Sequence, residues 1–460
     1  MIRQLIFHPK INHTTLIRRV CETRRNIFLK VHQDISYSSI HPRNVLDSYE
    51  LTNKDEKSGD LFPGKNKSMS VIQTPIDKLP LDQSVENDDM KPIIIFIHGG
   101  MWLKGDKSHS GSTISELAYQ SLSKTLNISA SHKNNDKKNE VNRANQNEST
   151  QVENSLSKIG LTLSLTGARV MLINYRLAST NFDQSFENEK QSIGKNMEGV
   201  YKHPDQVMDV ARSIAFIIKK HKKVFPFSIP KIIIGGHSAG AHLGSLVLST
   251  PKYIQKALEE RNINNGHEVA KECVSGFFGI SGVYNLSRLN QNVLSGLTIA
   301  PAFGKDKEKL LNEASPIQIL LRNRHKILEG DADIIQSKLK PFISHVPILL
   351  LNAEQDLGLE KDAKEMMIAL NSLSTSQIYR EHLIMGKKNH LSIMKELGEE
   401  WENVTGRDLH LRDTARDRSF EYQMYEKAQQ FYHEVLNYIR PREADETAMA
   451  IFNFIKQHVK

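Results

Sequence analysis

A mostly parallel, doubly wound α/β sheet flanked by helices is the fold that this sequence predicts, and three features of the 460-residue chain predict it. Short unbroken apolar runs such as Pro92–Ile97 and Pro347–Ala353 have strand length. Strands apolar on both faces belong to parallel sheets covered on both sides. Stretches with helical spacing alternate with those runs at crossover lengths, the pattern of a wound sheet rather than of hairpins. Polar tracts then account for the excess length, so the chain reads as one domain with insertions rather than two domains.

Taken in order, Ile35 to Leu51 gives two short strands around a turn at His41-Pro42-Arg43-Asn44, since Pro and Asn punctuate strands. Residues 52–90 lose hydrophobic periodicity and form the first insertion. The Pro92–Ile97 strand ends in His98-Gly99-Gly100, and Ser115 to Leu126 has a helical pattern. An Asn-rich tract, 131–158, is a second disordered insertion. Arg169 to Tyr175 is the next strand, followed by a third insertion at 180–199.

Val207, Val210, Ala211, Ile214, Ile217 and Ile218 recur as one helix face. Strands follow at Ile232–Ile234, Val274–Ile280, Val346–Leu351 and Gln377–Met385, with helices at Lys361–Leu373 and Thr447–Val459.

Composition narrows the class. Residues are 39% hydrophobic and 25% charged, with a net charge of +8. The basic residues are scattered, and the densest group, Lys219, Lys220, His221, Lys222 and Lys223, closes a helical pattern. Cations there complement the helix dipole and need no nucleic-acid partner. Cys21 and Cys273 are the only cysteines, which excludes a disulfide scaffold and suits the reducing cytoplasm. No apolar stretch reaches the eighteen or so residues that cross a bilayer. Residues 1–30 carry seven Arg and Lys against Glu22 alone. They read as a basic arm or as a mitochondrial targeting segment, with residues 31–460 as the single catalytic domain.

The chemistry is carried by Gly236-His237-Ser238-Ala239-Gly240, which joins the Ile232–Ile234 strand to a helical stretch. A strand, a tight G-x-S-x-G turn and a helix lift a serine hydroxyl to the helix N-terminus, where dipole and amides favour developing negative charge. Glycines at 236 and 240 let strand and helix approach. Acyl transfer also needs a base, a group orienting it and oxyanion donors. The Gly99 and Gly100 amides of the early His-Gly-Gly loop and the Ala239 amide are candidates for the oxyanion hole. His390 is the candidate base at the exit of a late strand. Asp356 is the candidate acid at the exit of another, with Glu354 as the fallback. His98 is read as orienting the oxyanion loop, His242 as packing or supporting, and His382 as a packing or surface residue.

Together these residues resemble the hormone-sensitive-lipase-like branch of the α/β-hydrolases, most closely kynurenine formamidases (arylformamidases) and prenylcysteine methylesterases. The matching stretches are His98-Gly99-Gly100-Met101-Trp102, Asn174-Tyr175-Arg176-Leu177, His203-Pro204-Asp205, Gly236 to Leu243, Ser281-Gly282-Val283-Tyr284-Asn285-Leu286, Ser315-Pro316 and His390 with Ile393. The resemblance implies an α/β-hydrolase fold and a Ser238-Asp356-His390 triad. It also implies donors at Gly99, Gly100 and Ala239, a small-molecule acyl substrate (an ester or an N-formyl aryl amide), and no metal or organic cofactor. The methylesterases typically carry transmembrane segments, which this sequence lacks. The insertions and the stretch from Trp401 to Arg440 depart from the family pattern. The competing expectation is a catalytically silent α/β-hydrolase fold used for ligand or partner binding; such proteins usually lose a triad member.

Overall fold

The computed structural model describes residues 27–53, 91–107, 158–164, 166–178, 201–291, 299, 301–303, 307–330, 340–373, 378–397 and 446–459. Residues 1–26 of the basic arm, the helix expected at Ser115–Leu126 and the stretch 401–440 lie outside the described residues. So do nearly all of the three insertions. At their edges, the second strand runs on to Asn53 and Lys158 opens a helix. Residues 27–30, read as part of the arm, instead open the first strand, which starts at Ile27 rather than Ile35.

Among the described residues eight strands form one sheet: β1 (Ile27–Ser36), β2 (Val45–Asn53), β3 (Ile93–Ile97), β4 (Arg169–Ile173), β5 (Ile232–His237), β6 (Val274–Ile280), β7 (Ile348–Gln355) and β8 (Arg380–Asn389). Their order is β1-β2-β4-β3-β5-β6-β7-β8. The β1–β2 and β2–β4 pairs are antiparallel; every other pairing is parallel.

Successive side chains of a strand point to opposite faces, and here both faces are dry. Ile93, Ile95, Ile97, Ile232 and Ile234 pack into one apolar cluster with residues of α2 (Asp205–Val224) and α3 (Ala239–Ser249). Ile94, Phe96, Val170, Leu172 and Ile233 pack into the other. There they meet Ile159 and Leu163 of α1 (Lys158–Ser164) and Ile451, Phe454 and Ile455 of the closing helix, which runs Glu446–His458. Unbroken isoleucine runs are therefore the sequence record of a sheet with two covers.

Four further short helices went unread in the sequence: α4 (Lys252–Glu259), α5 (Gly266–Cys273), α6 (Leu286–Asn290) and α7 (Lys307–Ala314). None exceeds eight residues, too short for periodicity to stand out. The longer α8 (Pro316–Leu328) was also missed, although Pro316 at its first turn is a start signal. The Lys361–Leu373 pattern is α9 (Leu359–Asn371), which packs its Ala363, Met366 and Leu370 into the first cluster. The lysines expected at a helix end do close α2, with His221, Lys222 and Lys223 in its last turn.

The late strands differ from the sequence reading at their ends. β7 extends through Gln355, so Glu354 lies in the strand and Asp356 is the first residue beyond it. β8 extends to Asn389 and takes in Gly386–Lys388, which read as loop. Register explains the difference: Ala353 pairs with Met385 and Gln355 with Asn389, so the extra β8 residues form a bulge. Lys387 takes up the bend with a φ of 58°. Among the described residues no helix is long and apolar enough to cross a membrane.

Candidate active site

Four segments meet at the carboxyl ends of the parallel strands: the loop after β3, the turn after β5, and the exits of β7 and β8. In open α/β sheets ligands bind outside this edge.

The turn after β5 is fixed by close approach. A Cβ on Gly240 would overlap the carbonyls of Ile97 and His98, and one on Gly236 would lie 2.6 Å from the Gly240 carbonyl carbon. Only glycine lets α3 start against β3 in this way. Between them Ser238 is held at φ 51°, ψ −117°, a conformation that disfavours any side chain by about 1–3 kcal/mol and that the surroundings must impose. The Ser238 amide donates to Ile280 at 2.9 Å and its carbonyl accepts from His242 at 3.0 Å, so both sides of the turn are tied down.

The partners arrive from the other end of the chain. The Ser238 hydroxyl donates to Nε2 of His390 at 3.0 Å, and Nδ1–H of His390 donates to Oδ1 of Asp356 at 2.7 Å. The second oxygen of Asp356 accepts from the Asn352 side-chain amide at 2.7 Å and from the Ala353 backbone at 3.2 Å. Burial raises the Asp356 carboxyl. The hydrogen bond and charge of His390, with Ser281 and Asn352, outweigh burial and hold it below its ordinary value. Glu354 is exposed and accepts from the Lys387 backbone at 2.7 Å. Of the two sequence candidates, Asp356 is thus the one that meets His390, and Glu354 pins the β8 bulge.

The His98-Gly99-Gly100 loop lies against the serine. A Cβ on Gly99 would sit 3.3 Å from the Ser238 Cβ and 2.8 Å from Nδ1 of His237. Gly100 has a φ of 109° and its carbonyl accepts from Leu103 and Lys104, which closes a turn. His98 donates through Nδ1 to the Gly99 carbonyl at 2.7 Å, and its ring stacks on Tyr175 at 4.4 Å. Among the described residues nothing accepts from the Gly99, Gly100 or Ala239 amides. Ala239 opens α3, where the first N–H has no partner within the helix.

Two more histidines brace the site. His237 donates through Nε2 to the His390 carbonyl at 2.9 Å, which fixes the backbone of the candidate base. His242 donates through Nε2 to the Ala314 carbonyl at 2.9 Å, so its Nδ1 is an acceptor. Into that Nδ1 the Trp102 indole donates at 3.2 Å, tying the loop after β3 to α3. Burial pushes His98 down to about 4, and His237 and His242 down to about 3. All three are neutral struts at neutral pH.

Asn352, His237 and Ser281 were not singled out as site residues from sequence. Asn352 alone left a signal: a polar side chain near the end of an otherwise apolar strand, four residues before Asp356. His382, read as a packing or surface residue, is hydrogen-bonded through Nε2 to Asn352 at 3.1 Å. The described residues contain no group of His, Cys, Asp and Glu placed to hold a metal.

The strand order, with a serine turn after β5, an acid after β7 and a histidine after β8, is that of the α/β-hydrolase fold, and the chain has that fold. Residues 144–338, which contain the serine turn, match the BD-FAE family model. None of the curated proteins matches the chain significantly.

Among solved structures, esterase B from Lactobacillus rhamnosis, with a tributyrin phosphonate inhibitor, is 13% identical. The match covers 91% of each chain, with a TM-score of 0.42. A truncated carbohydrate esterase from gut microbiota is 12% identical over 80% of this chain and 92% of that one, with a TM-score of 0.42. Thermogutta terrifontis esterase 2 is 12% identical over 89% and 96%, with a TM-score of 0.40. Strand order and register define the fold by themselves.

Proposed function

We propose that this chain is a serine hydrolase that cleaves a small carboxylic ester or an N-formyl aryl amide through an acyl-enzyme. The observation that carries the reading is the unbroken line from Ser238 through His390 to Asp356, at 3.0 and 2.7 Å, beside three uncommitted amides.

His390 takes the Ser238 proton as the oxygen attacks the substrate carbonyl, and Asp356 holds the ring and stabilises the imidazolium. The carbonyl oxygen becomes an oxyanion that accepts from the amides of Gly99, Gly100 and Ala239. Collapse expels the alcohol or arylamine, which leaves with the proton from His390. Water, deprotonated by the same histidine, then attacks the acyl-Ser238 ester, and the carboxylic acid departs as Ser238 regains its proton. Both substrate classes pass through the same tetrahedral intermediate, and the likeness of the Gly236–Leu243 and His390 segments to kynurenine formamidases is what keeps the formamide in view.

The test is turnover of N-formylkynurenine against short p-nitrophenyl esters by the wild type and by Ser238→Ala. The reading expects one class to be hydrolysed by the wild type and neither by the variant. Equal turnover by both proteins would overturn it.

A further inference from the structure

Behind the carboxylate of Asp356 the hydrogen bonds continue, and their direction is fixed by chemistry. An ionised carboxylate only accepts, so Asn352, 2.7 Å from Oδ2 of Asp356, must present its NH2 group there. Its own carbonyl oxygen then faces the other way, toward Nε2 of His382 at 3.1 Å. A carbonyl oxygen also only accepts, so His382 must carry its proton on Nε2 and donate. The result is one directed line: His382 to Asn352 to Asp356, with His390 and Ser238 on the far side of the carboxylate.

Sheet register builds this line. His382 pairs with Leu350 across the parallel β7–β8 ladder, and Asn352 lies two residues on from Leu350, on the same face. Asn352 is 1% exposed in a strand whose other buried residues are apolar. A buried amide needs partners on both its ends, and an unmet end costs about 1–3 kcal/mol.

We propose that His382 is a positioning residue for the acid of the triad: by donating to Asn352 it locks the side-chain amide in the orientation that keeps an N–H on Asp356. Without that donor, the Asn352 carbonyl oxygen loses its partner and the side chain is free to leave the carboxylate, which takes an N–H from Asp356 and leaves its orientation toward His390 less fixed. The inference rests on the serine-hydrolase reading of the same site.

The groups facing His382 are Lys364 and Glu360 of α9 and Asp356 itself. Burial, then Lys364, hold His382 below its ordinary value, while Asp356 and Glu360 pull it upward. It is therefore neutral at neutral pH, as a single-tautomer donor requires. His382 is half-buried and reaches His390 only through Asn352 and Asp356, so its effect falls on kcat rather than on KM.

The experiment compares wild type, His382→Ala, His382→Phe and His382→Gln on a p-nitrophenyl ester across pH, with Ser238→Ala run beside them. Glutamine places an amide N–H near the Nε2 position, whereas alanine and phenylalanine supply no donor. The Ala and Phe variants are expected to lose about threefold to tenfold in kcat with KM unchanged, the size of one lost hydrogen bond. The acid limb of their kcat/KM profiles should move to higher pH, because the carboxylate facing the imidazolium has lost a donor. His382→Gln should restore both quantities. Wild-type kcat and pH profiles in His382→Ala, or a kcat loss that glutamine shares, would overturn the proposal. Full activity in Ser238→Ala would overturn the serine-hydrolase reading with it. An inactive Ser238→Ala beside an unaltered His382→Ala removes the lock alone.

Discussion

The two halves of the site are built by different means. The serine turn is held by sterics within a few residues of itself: Gly236 and Gly240 leave no space for a Cβ, and α3 follows at once. The half formed by Asp356 and His390 is held by hydrogen bonds between β7 and β8, across a bulge pinned by Glu354, with a neutral His237 fixing His390 from behind. A part fixed by close packing tolerates no addition, whereas a part fixed by hydrogen bonds tolerates substitution and loses function in steps. The two halves should therefore fail in different ways.

The largest effect is expected at the turn. Gly240→Ala forces a methyl group onto the Ile97 and His98 carbonyls, and it should yield little folded protein, as judged by circular dichroism and soluble yield. Normal folding and activity in that variant would show that the turn has more room than its geometry implies. Asp356→Asn should keep the fold and lower kcat by about 10⁴-fold, because the amide favours the wrong imidazole tautomer. Steady-state kinetics beside a thermal melt separates the two outcomes.

A third effect concerns acid. His98, His237 and His242 are buried neutral, with values near 4, 3 and 3 against 6.5 when exposed. Below 6.5 the unfolded chain takes up protons that the native state refuses, so stability present above pH 6.5 is lost as pH falls toward the folded values. The urea midpoint should drop between pH 7 and pH 5, and less so in His242→Gln, which removes one of the three groups. A midpoint that holds steady over that interval would contradict the burial of these rings. The smallest effect is expected for Glu354→Ala, which removes a bond to the Lys387 backbone but no contact with His390; kcat should stay within about threefold of wild type. A loss comparable to Asp356→Asn would reverse the assignment of the acid.

The same contrast governs how much could be read from the chain. The two-sided isoleucine runs, the His-Gly-Gly loop and the serine turn are local patterns, and each sits in the structure where the sequence put it. The sequence favours Asp356 as the candidate acid and keeps Glu354 only as the fallback, because deciding between them needs the exact end of β7 and the position of His390. The β8 bulge was read as loop because Gly386-Lys387-Lys388 looks the same whether or not a neighbouring strand pairs around it. Asn352 and His382 were passed over for a related reason. Their link depends on which residues two strands set side by side, and register is not written in either strand alone. Short helices such as α4 and α6 escaped because too few residues repeat to define a face.

The central claim is that Ser238 is a nucleophile activated by His390, and covalent capture tests it most directly. Wild type, Ser238→Ala and His390→Ala would each be incubated with a fluorophosphonate, digested and mapped by mass spectrometry. The expected result is one phosphonyl adduct, on the peptide bearing Ser238, absent from Ser238→Ala and strongly slowed in His390→Ala. Labelling at another residue, or at an equal rate in all three proteins, would contradict it.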